Sequence, residues 1–202
     1  MKDKKRLLRE YAEAIITALI LALLIRTFVV QAFKIPSGSM IPTLLIGDHI
    51  LVNKFIYGTK IPFTDKVILV FRKPERGDII VFKYPENPKK DFIKRGIAIG
   101  GDIIEGRNKV VYINGKSIEE PYVRHYDRNI RPGGFDPRDN FGPLVVPEGK
   151  VFVLGDNRDQ SYDSRYWGFV DLKDVKGTAF IIYWSWDPDD WARFSRIGRL
   201  IE

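Results

Sequence analysis

The longest apolar stretch of the chain lies close to its N-terminus and predicts a membrane-spanning helix. Residues 14–25 are almost all apolar, and further apolar residues follow Arg26 as far as Phe33. As a helix, residues 11–33 would be ~35 Å long at about 1.5 Å per residue, and a hydrocarbon core is roughly 30 Å thick. Glu13 and Arg26 lie near the two ends of the stretch, where a charge reaches the headgroups at little cost.

Two other interpretations of this stretch stay open. A cleaved signal peptide would share the basic start, but no small-x-small cleavage site follows Ile25. A buried core helix is also compatible with a short apolar run. If the stretch is an anchor, residues 1–10 stay in the cytoplasm because basic flanks do so, and residues 34–202 lie outside the cytoplasm.

Beyond the anchor, the pattern changes to short β-rich runs bounded by Gly, Pro or Asp, which is typical of strands. An Asn114-Gly115 pair between two apolar runs predicts a β-hairpin over residues 110–118. The other predicted strands are 48–57, 67–72, 78–84, 91–99, 151–154 and 178–186. We therefore expect a mainly β domain.

Two segments of this domain depart from the strand pattern. Residues 121–147 hold five of the twelve prolines, which predicts an irregular insertion rather than a second folded domain. Residues 187–201 begin with acidic and finish with basic side chains, as suits a short helix with ends matched to its dipole. The predicted organisation is thus a basic N-terminus (1–10), an anchor (11–33) and a single mainly β domain (34–202).

Composition removes several kinds of chemistry. The 202 residues include no cysteine and only two histidines, which excludes thiolate nucleophiles and disulfides and makes a metal site improbable; we expect no metal and no cofactor. The formal net charge is +7, but outside the first ten residues no cationic cluster stands out. Nucleic acid is therefore not expected as a partner, whereas an anionic bilayer is.

Three segments are candidates for chemistry. In residues 35–44, two prolines bracket Ser37-Gly38-Ser39, so a stiff backbone could present a serine hydroxyl and its own N–H toward one point. The alternative is an ordinary turn that leaves a membrane helix. On this segment alone, that alternative is favoured.

The second segment, residues 91–102, contains a candidate base. On a strand, Lys94 shares one face with Phe92 and small residues, while Arg95 points to the other face. Burial disfavours an ammonium ion, so the pKa of Lys94 is expected to fall from ~10.4 and the neutral amine could accept a proton. A solvated or carboxylate-paired lysine is the alternative.

The third segment, residues 154–168, is dense in Asp, Asn, Arg and Ser and could form a self-satisfying polar network at a strand end. An exposed acidic loop is the alternative. An EF-hand is excluded, because the required Gly and Glu are missing from their positions.

Together the three segments resemble the motifs of bacterial type I signal peptidases, the leader peptidases that remove signal sequences from exported proteins. The matching sequences are Pro-Ser-Gly-Ser-Met-x-Pro-Thr-Leu, then Lys-Arg before a Gly-Gly-Asp turn, then Gly-Asp-Asn-Arg-Asp-x-Ser-x-Asp-Ser-Arg, in that order over about residues 10–186. The resemblance implies a complex β fold of antiparallel sheets with an N-terminal transmembrane helix and a short C-terminal helix. It also implies a single-pass protein of the bacterial cytoplasmic membrane with an extracytoplasmic catalytic domain.

The resemblance further implies roles for single residues. Ser39 would be the nucleophile, Lys94 its general base, and Ser37 would share the oxyanion hole with the Ser39 N–H. Ser161 would orient the lysine amine. The remaining network would comprise the Asp163–Arg165 ion pair together with Asp156 and Arg158.

The expected substrates are signal-peptide-bearing precursors, cut after a small-x-small motif of the Ala-x-Ala type. Apolar residues near Ser39 and Lys94 are expected to line shallow pockets for those small side chains: Phe33, Ile35, Pro36, Met40, Leu44, Phe92 and Ile93. Two alternatives are a self-cleaving Ser-Lys repressor-type protease, against which the apolar N-terminus argues, and a non-catalytic β module tethered in the envelope. The second alternative leaves the coincidence of Ser39, Lys94 and Ser161 unexplained.

Overall fold

The structure is a computed structural model that describes residues 2–60, 67–68, 70–187 and 191–201. Its described α-helices are α1 (Lys2–Phe28) and α2 (Ser164–Trp167), with short 3₁₀ turns at Arg158–Gln160, Leu172–Asp174 and Phe194–Arg196. The described strands are β1 (Val30–Lys34), β2 (Asp48–Asn53), β3 (Thr59–Lys60), β4 (Val67–Ile68), β5 (Ile79–Tyr84), β6 (Asn87–Ile99), β7 (Ile103–Arg107), β8 (Val110–Ile113), β9 (Lys116–Ser117), β10 (Phe141–Val145), β11 (Lys150–Leu154), β12 (Val170–Asp171), β13 (Val175–Asp187) and β14 (Trp191–Ala192).

The N-terminal helix is shorter at its C-terminal end than predicted. It stops at Phe28, and the last residues of the predicted anchor belong to β1, which pairs antiparallel with β2. The reason is that the apolar pattern of 29–33 suits a half-buried strand as well as a helix. Among the described residues, no helix reaches both the length and the apolar character that crossing a membrane requires.

The rest of the chain is mainly antiparallel β structure, as predicted. Within the described residues, the main sheet has the strand order β1-β2-β13-β5-β6-β11-β12, with β14 paired to β13. A four-stranded sheet has the order β10-β7-β8-β9, and β3 pairs with β4. The central strands were predicted, with boundaries that differ by a few residues, whereas β1, β3, β7, β10, β12 and β14 were not.

The Asn-Gly hairpin is confirmed. Asn114 and Gly115 adopt φ of 51° and 79°, the positive values that a tight two-residue turn between β8 and β9 requires. In the predicted strand 67–72, by contrast, only the first two residues are strand, and residue 69 lies outside the described residues.

Strand alternation sends neighbouring side chains of the main sheet into different cores. Ile79 and Val81 of β5 pack in a cluster with the residues that follow β1, while Ile80 and Phe82 face a second cluster on the other side. A third cluster fills the space between the main sheet and the four-stranded sheet, around Phe152. The main sheet is therefore covered on both faces.

The predicted C-terminal helix is wrong for the described part of residues 187–201, which forms β14 and a 3₁₀ turn; residues 188–190 lie outside the described residues. Two of its basic side chains form tertiary hydrogen bonds and do not interact with a helix C-terminus. The Arg196 guanidinium is buried and donates to Asp48 at 3.0 Å, and Arg193 donates to Ser185 at 2.8 Å. These tertiary contacts outweigh the dipole preference that the sequence suggested.

The insertion at 121–147 is irregular, as predicted, except for β10 near its end. It is fixed by a dense set of ion pairs. The buried Arg138 donates to Asp139 at 2.7 Å and to Asp127 at 2.9 Å. Two hydrogen bonds also tie the insertion to residues after β11: the Asp127 N–H donates to Asp159 Oδ2 at 2.8 Å, and Arg165 donates to the Arg138 carbonyl at 2.5 Å.

Candidate active site

Ser39 and Lys94 meet at the centre of the candidate site. Ser39 lies in the turn between β1 and β2, and Lys94 lies on β6 opposite Ile80 of β5. Lys94 Nζ and Ser39 Oγ are 2.5 Å apart, although 55 positions separate the residues in the sequence. The two residues are 4% and 9% exposed, so their contact is shielded from bulk water.

The surroundings of Lys94 favour an uncharged amine. Burial lowers the pKa of Lys94 to about 8, the Asp163 carboxylate opposes the shift and the Arg165 guanidinium adds to it. The Phe92 ring lies on the same strand face, with its centroid 5.7 Å from Nζ. Within the described residues, Ser39 Oγ is the only hydrogen-bond partner of Nζ. The direction of this shift is the one that the strand pattern predicted, and a pKa of about 8 leaves about a tenth of the amine neutral at pH 7 and about half at pH 8.

The predicted Asp163–Arg165 pair is present next to Lys94. Arg165 donates from Nε to Asp163 Oδ1 at 2.8 Å and from Nη2 to Asp163 Oδ2 at 2.9 Å. The backbone N–H of Gly155 donates to the same carboxylate at 3.0 Å. Burial raises the pKa of Asp163, but the charge and hydrogen bonds of Arg165 outweigh it, so the pKa lies below its usual value.

Ser161 is brought close to the site without contacting the amine. Its hydroxyl is buried, forms no hydrogen bond of good geometry with a described residue, and interacts with the Asp163 carboxylate, whose pKa it helps to lower. The predicted bond from Ser161 to Lys94 is therefore not found. The hydroxyl instead lies against Gly155, where an added Cβ would be 2.3 Å from Ser161 Oγ.

Asp156 and Arg158 are both buried in the predicted network, but they do not pair with each other. Asp156 forms a bidentate ion pair with Arg95, at 2.9 and 2.8 Å, and accepts from Thr43 Oγ1 at 2.5 Å. Arg158 pairs with Glu120. Arg95 faces away from the chemistry, as predicted, and links β6 to the loop that carries Ser39.

Sequence reasoning missed Asn157. Its backbone N–H donates to the Ser39 carbonyl at 3.1 Å, and its side-chain amide donates to the Gly38 carbonyl at 3.1 Å. One indication of its importance was present in the sequence, since Asn157 lies within residues 154–168, the segment predicted to form a polar network. The partner could not be predicted, because it lies 119 positions away in the sequence.

The predicted pocket residues divide into two groups. Met40 and Leu44 are 0% exposed and Ile35 is 2% exposed, all three in the first core cluster. Met40 and Leu44 therefore do not line the surface beside Ser39, because their side chains fill the core beneath it. Phe33, Phe92 and Ile93 are partly buried, and Pro36 and Ser37 are exposed. Ile35 and Pro36 also border an open cavity of ≈ 480 Å³ with Trp184 and Trp186.

Among the described residues, no group of three or more acidic or histidine side chains is arranged to hold a metal ion.

Comparison with known proteins identifies the family. Residues 8–184 match the sequence pattern of the family described as "Signal peptidase, peptidase S26". Signal peptidase I of Pseudomonas fluorescens is 36% identical over 228 residues, which cover 97% of this chain and 80% of the relative. Signal peptidase I S of Bacillus subtilis is 37% identical over 187 residues, which cover 92% of this chain and 94% of the relative.

A crystal structure of a signal peptidase I from Enterococcus faecalis also matches, with a TM-score of 0.45 and 40% identity, over 53% of this chain and 97% of that one. The sequence matches place the chain among hydrolases that cut peptide bonds. More narrowly, the chain belongs to the S26 family of signal peptidases, which remove signal peptides. The resemblance of the three sequence motifs is thereby confirmed.

Proposed function

We propose that this chain is a membrane-bound serine endopeptidase that cuts signal peptides from exported precursors, with Ser39 as nucleophile and Lys94 as general base. The observation that carries the proposal is the 2.5 Å contact between Lys94 Nζ and Ser39 Oγ in a buried site. A base within 2.6–3.2 Å or closer of a hydroxyl can take its proton, provided that the base is neutral. With a pKa of about 8, Lys94 meets that condition in about half of the molecules at pH 8 and in most of them at higher pH.

The proposed reaction has two halves. Lys94 takes the Ser39 proton as Oγ attacks the scissile carbonyl, and the carbonyl oxygen becomes an oxyanion that accepts from the Ser39 N–H and the Ser37 hydroxyl. Lys94 then gives its proton to the leaving amine, the C–N bond breaks and an acyl-enzyme remains. In the second half, Lys94 takes a proton from a water that attacks the acyl carbon, and the ester bond between that carbon and Ser39 Oγ breaks. The signal peptide leaves with a new C-terminal carboxyl group, and Lys94 returns the proton to Ser39 Oγ.

The precursor is proposed to bind in an extended conformation beside Ser39. The strand β1 stands at one end of the main sheet and leads into the loop with Ser39. An extended peptide could pair with such an edge through main-chain hydrogen bonds. Small side chains of an Ala-x-Ala motif would then meet the partly exposed apolar residues, namely Phe33, Pro36 and Ile93.

Attachment to the bacterial cytoplasmic membrane, with the N-terminus inside and the catalytic domain outside, belongs to the same proposal. It is supported by the basic start of the chain and by large apolar side chains that α1 leaves exposed, such as Ile16, Leu19 and Ile20. Flotation of the chain with phospholipid vesicles tests it. Changing Leu19 and Ile20 to Lys should abolish flotation, whereas Leu144→Lys on β10 should not; flotation retained by the double variant would refute the role of α1.

The mechanism is tested by cleavage of a peptide with an Ala-x-Ala motif. Ser39→Ala and Lys94→Ala should each lose at least about 10³-fold in kcat, since nucleophile and base act as one unit. The matched control is Lys90→Ala, an exposed lysine on the same strand as Lys94. In the wild type, kcat/KM should rise with pH and level off above about 8. Cleavage retained by folded Ser39→Ala would refute the proposed nucleophile, whereas a folded wild type that does not cleave the peptide would favour a non-catalytic tethered module.

A further inference from the structure

In the peptide unit between Gly38 and Ser39, the carbonyl is hydrogen-bonded to a described residue and the N–H is not. Its carbonyl accepts a hydrogen bond from the Asn157 amide at 3.1 Å. Its N–H, which belongs to Ser39, donates no hydrogen bond to any described residue. In a trans peptide the C=O and N–H point in opposite directions, so anchoring the carbonyl also sets where the N–H points.

Asn157 is held in a defined orientation. It is 0% exposed, and its Nδ2 donates both to Gly38 O and to Gln160 Oε1, at 3.1 and 3.2 Å. Both partners are acceptors, which identifies the atom that faces Gly38 as the amide nitrogen. The backbone N–H of Asn157 also donates to Ser39 O at 3.1 Å. One buried residue therefore holds the carbonyls on both sides of the Ser39 N–H.

We propose that Asn157 is a positioning residue of the oxyanion hole, which aims the Ser39 N–H at the developing oxyanion by anchoring the Gly38 carbonyl. The inference rests on the proposed function, because the N–H needs an acceptor only when Ser39 attacks a carbonyl. A preorganised donor matters because it has no reorientation cost at the transition state. Without the amide, the Gly38–Ser39 peptide can rotate and the N–H loses its fixed direction.

The kinetic test compares Asn157→Ala with the wild type on the Ala-x-Ala peptide. Loss of an oxyanion-hole donor costs about 10²–10³ in kcat, so loss of its alignment should cost about tenfold or more, with KM changed less than about threefold. Asn140→Ala is the matched control, since Asn140 also donates its amide to a backbone carbonyl, that of Arg131, at 2.9 Å. A kcat within twofold of the wild type for Asn157→Ala would overturn the proposal.

A second measurement distinguishes an effect of Asn157 on the direction of the Ser39 N–H from a general effect on the fold. In a thionopeptide, sulfur replaces the scissile carbonyl oxygen and weakens hydrogen bonding in the oxyanion hole. The ratio of oxygen to sulfur rates should be several-fold smaller in Asn157→Ala than in the wild type, because the variant has less oxyanion stabilisation to lose. The rising pH limb near 8 should not move. An unchanged ratio, or a shifted limb, would overturn the proposal.

Asn157→Asp covers the case in which the Ala variant does not fold, since it keeps the shape of the side chain. When protonated, the carboxyl can still donate to Gly38 O, whereas the carboxylate can only accept. Asn157→Asp should therefore stay impaired at pH values above about 8, where Lys94 is neutral but the introduced carboxylate faces the Gly38 carbonyl without a proton to donate, and its kcat there should be at least about tenfold below that of the wild type. Failure of Ser39→Ala to abolish cleavage would refute the proposed function, whereas a wild-type kcat of Asn157→Asp above pH 8 would refute this inference alone.

Discussion

The burial of Lys94, on which its proposed role as a base depends, also lowers the stability of the fold. Its pKa is about 8 in the fold and ~10.4 when unfolded, so between those pH values the unfolded chain binds more protons and stability increases with pH. Below pH 8 the full penalty applies. We predict that Lys94→Met raises the free energy of unfolding by roughly 1–3 kcal/mol at pH 7, with a smaller gain at pH 10.

Urea unfolding at both pH values measures the effect. Lys90→Met, on the exposed part of β6, serves as the control and should change stability by less than about 0.5 kcal/mol. A Lys94→Met variant that is less stable than the wild type at pH 7 would contradict the assignment of a buried, unfavourable charge.

A second prediction concerns Gly155, which lies where residues 154–168 pass the loop that carries Ser39. A Cβ at this position would be 2.5 Å from Ser39 O and 2.3 Å from Ser161 Oγ. Gly155→Ala should therefore displace the loop, with a loss of about 1–3 kcal/mol in stability and a clear fall in kcat. Gly134→Ala, where an added Cβ meets nothing within 4 Å, is the control. Equal kcat and thermal midpoints for both variants would disprove the close approach.

For single residues, the sequence predicted correctly the sheet face to which a strand side chain points, because side chains alternate along a strand. The side of β6 to which Lys94 points follows from strand geometry, and so does the opposite direction of Arg95. The partners of the charged residues did not follow, because Arg95 meets Asp156 from 61 positions away and Arg158 meets Glu120 from 38. The alternation of polar and apolar residues along the chain does not show which residues, so far apart in the sequence, form ion pairs.

Among the elements, the C-terminal segment has the least expected role. Arg196 donates to Asp48 and, from Nη2, to the carbonyl of Thr43 at 2.9 Å, so the segment holds the far end of the Ser39 loop. Burial raises the pKa of Asp48, but the hydrogen bonds from Arg196 and Ser185 outweigh it and keep the pKa low. Asp48 is therefore an ionised, fully buried carboxylate whose main cationic partner is Arg196.

We predict that Arg196→Ala lowers the free energy of unfolding by about 3 kcal/mol or more, because it leaves a buried carboxylate without that partner. Thermal unfolding with near-UV circular dichroism measures the change. Arg199→Ala, an exposed arginine three positions further along, should have little effect. A similar small effect of both variants would mean that Arg193 alone suffices for Asp48.

The elements that the sequence predicted well are those with a local signal. The hairpin at Asn114-Gly115 is an example, since its turn needs two positive φ values that Asn and Gly adopt readily. The strand β1 was assigned to a helix because its apolar residues continue the preceding run. The strand β10 was missed because Gly142 and Pro143 interrupt its pattern. Its pairing with β7 could only be learned from the fold.

On the scale of the whole molecule, the two sheets depend on the core between them. Phe152 is 0% exposed and stacks on Phe141 with ring centroids 5.6 Å apart. Phe152→Ala should lower the free energy of unfolding by about 3–5 kcal/mol and still give one transition, because the clusters share the main sheet. The control is Phe135→Ala, 96% exposed in the insertion. Two separate transitions in Phe152→Ala would show that the sheets unfold independently.

The residues in contact around Ser39 are far apart in the sequence, and this separation determines when the site forms during folding. The serine must meet an amine 55 positions away and an amide 119 positions away before the site is complete. Contacts of such long range close late, because their loop entropy is overcome only after the surrounding strands have paired. On the proposed mechanism, a chain whose strands have not yet paired lacks the contact between Ser39 and Lys94, so it would acquire peptidase activity only at the end of folding.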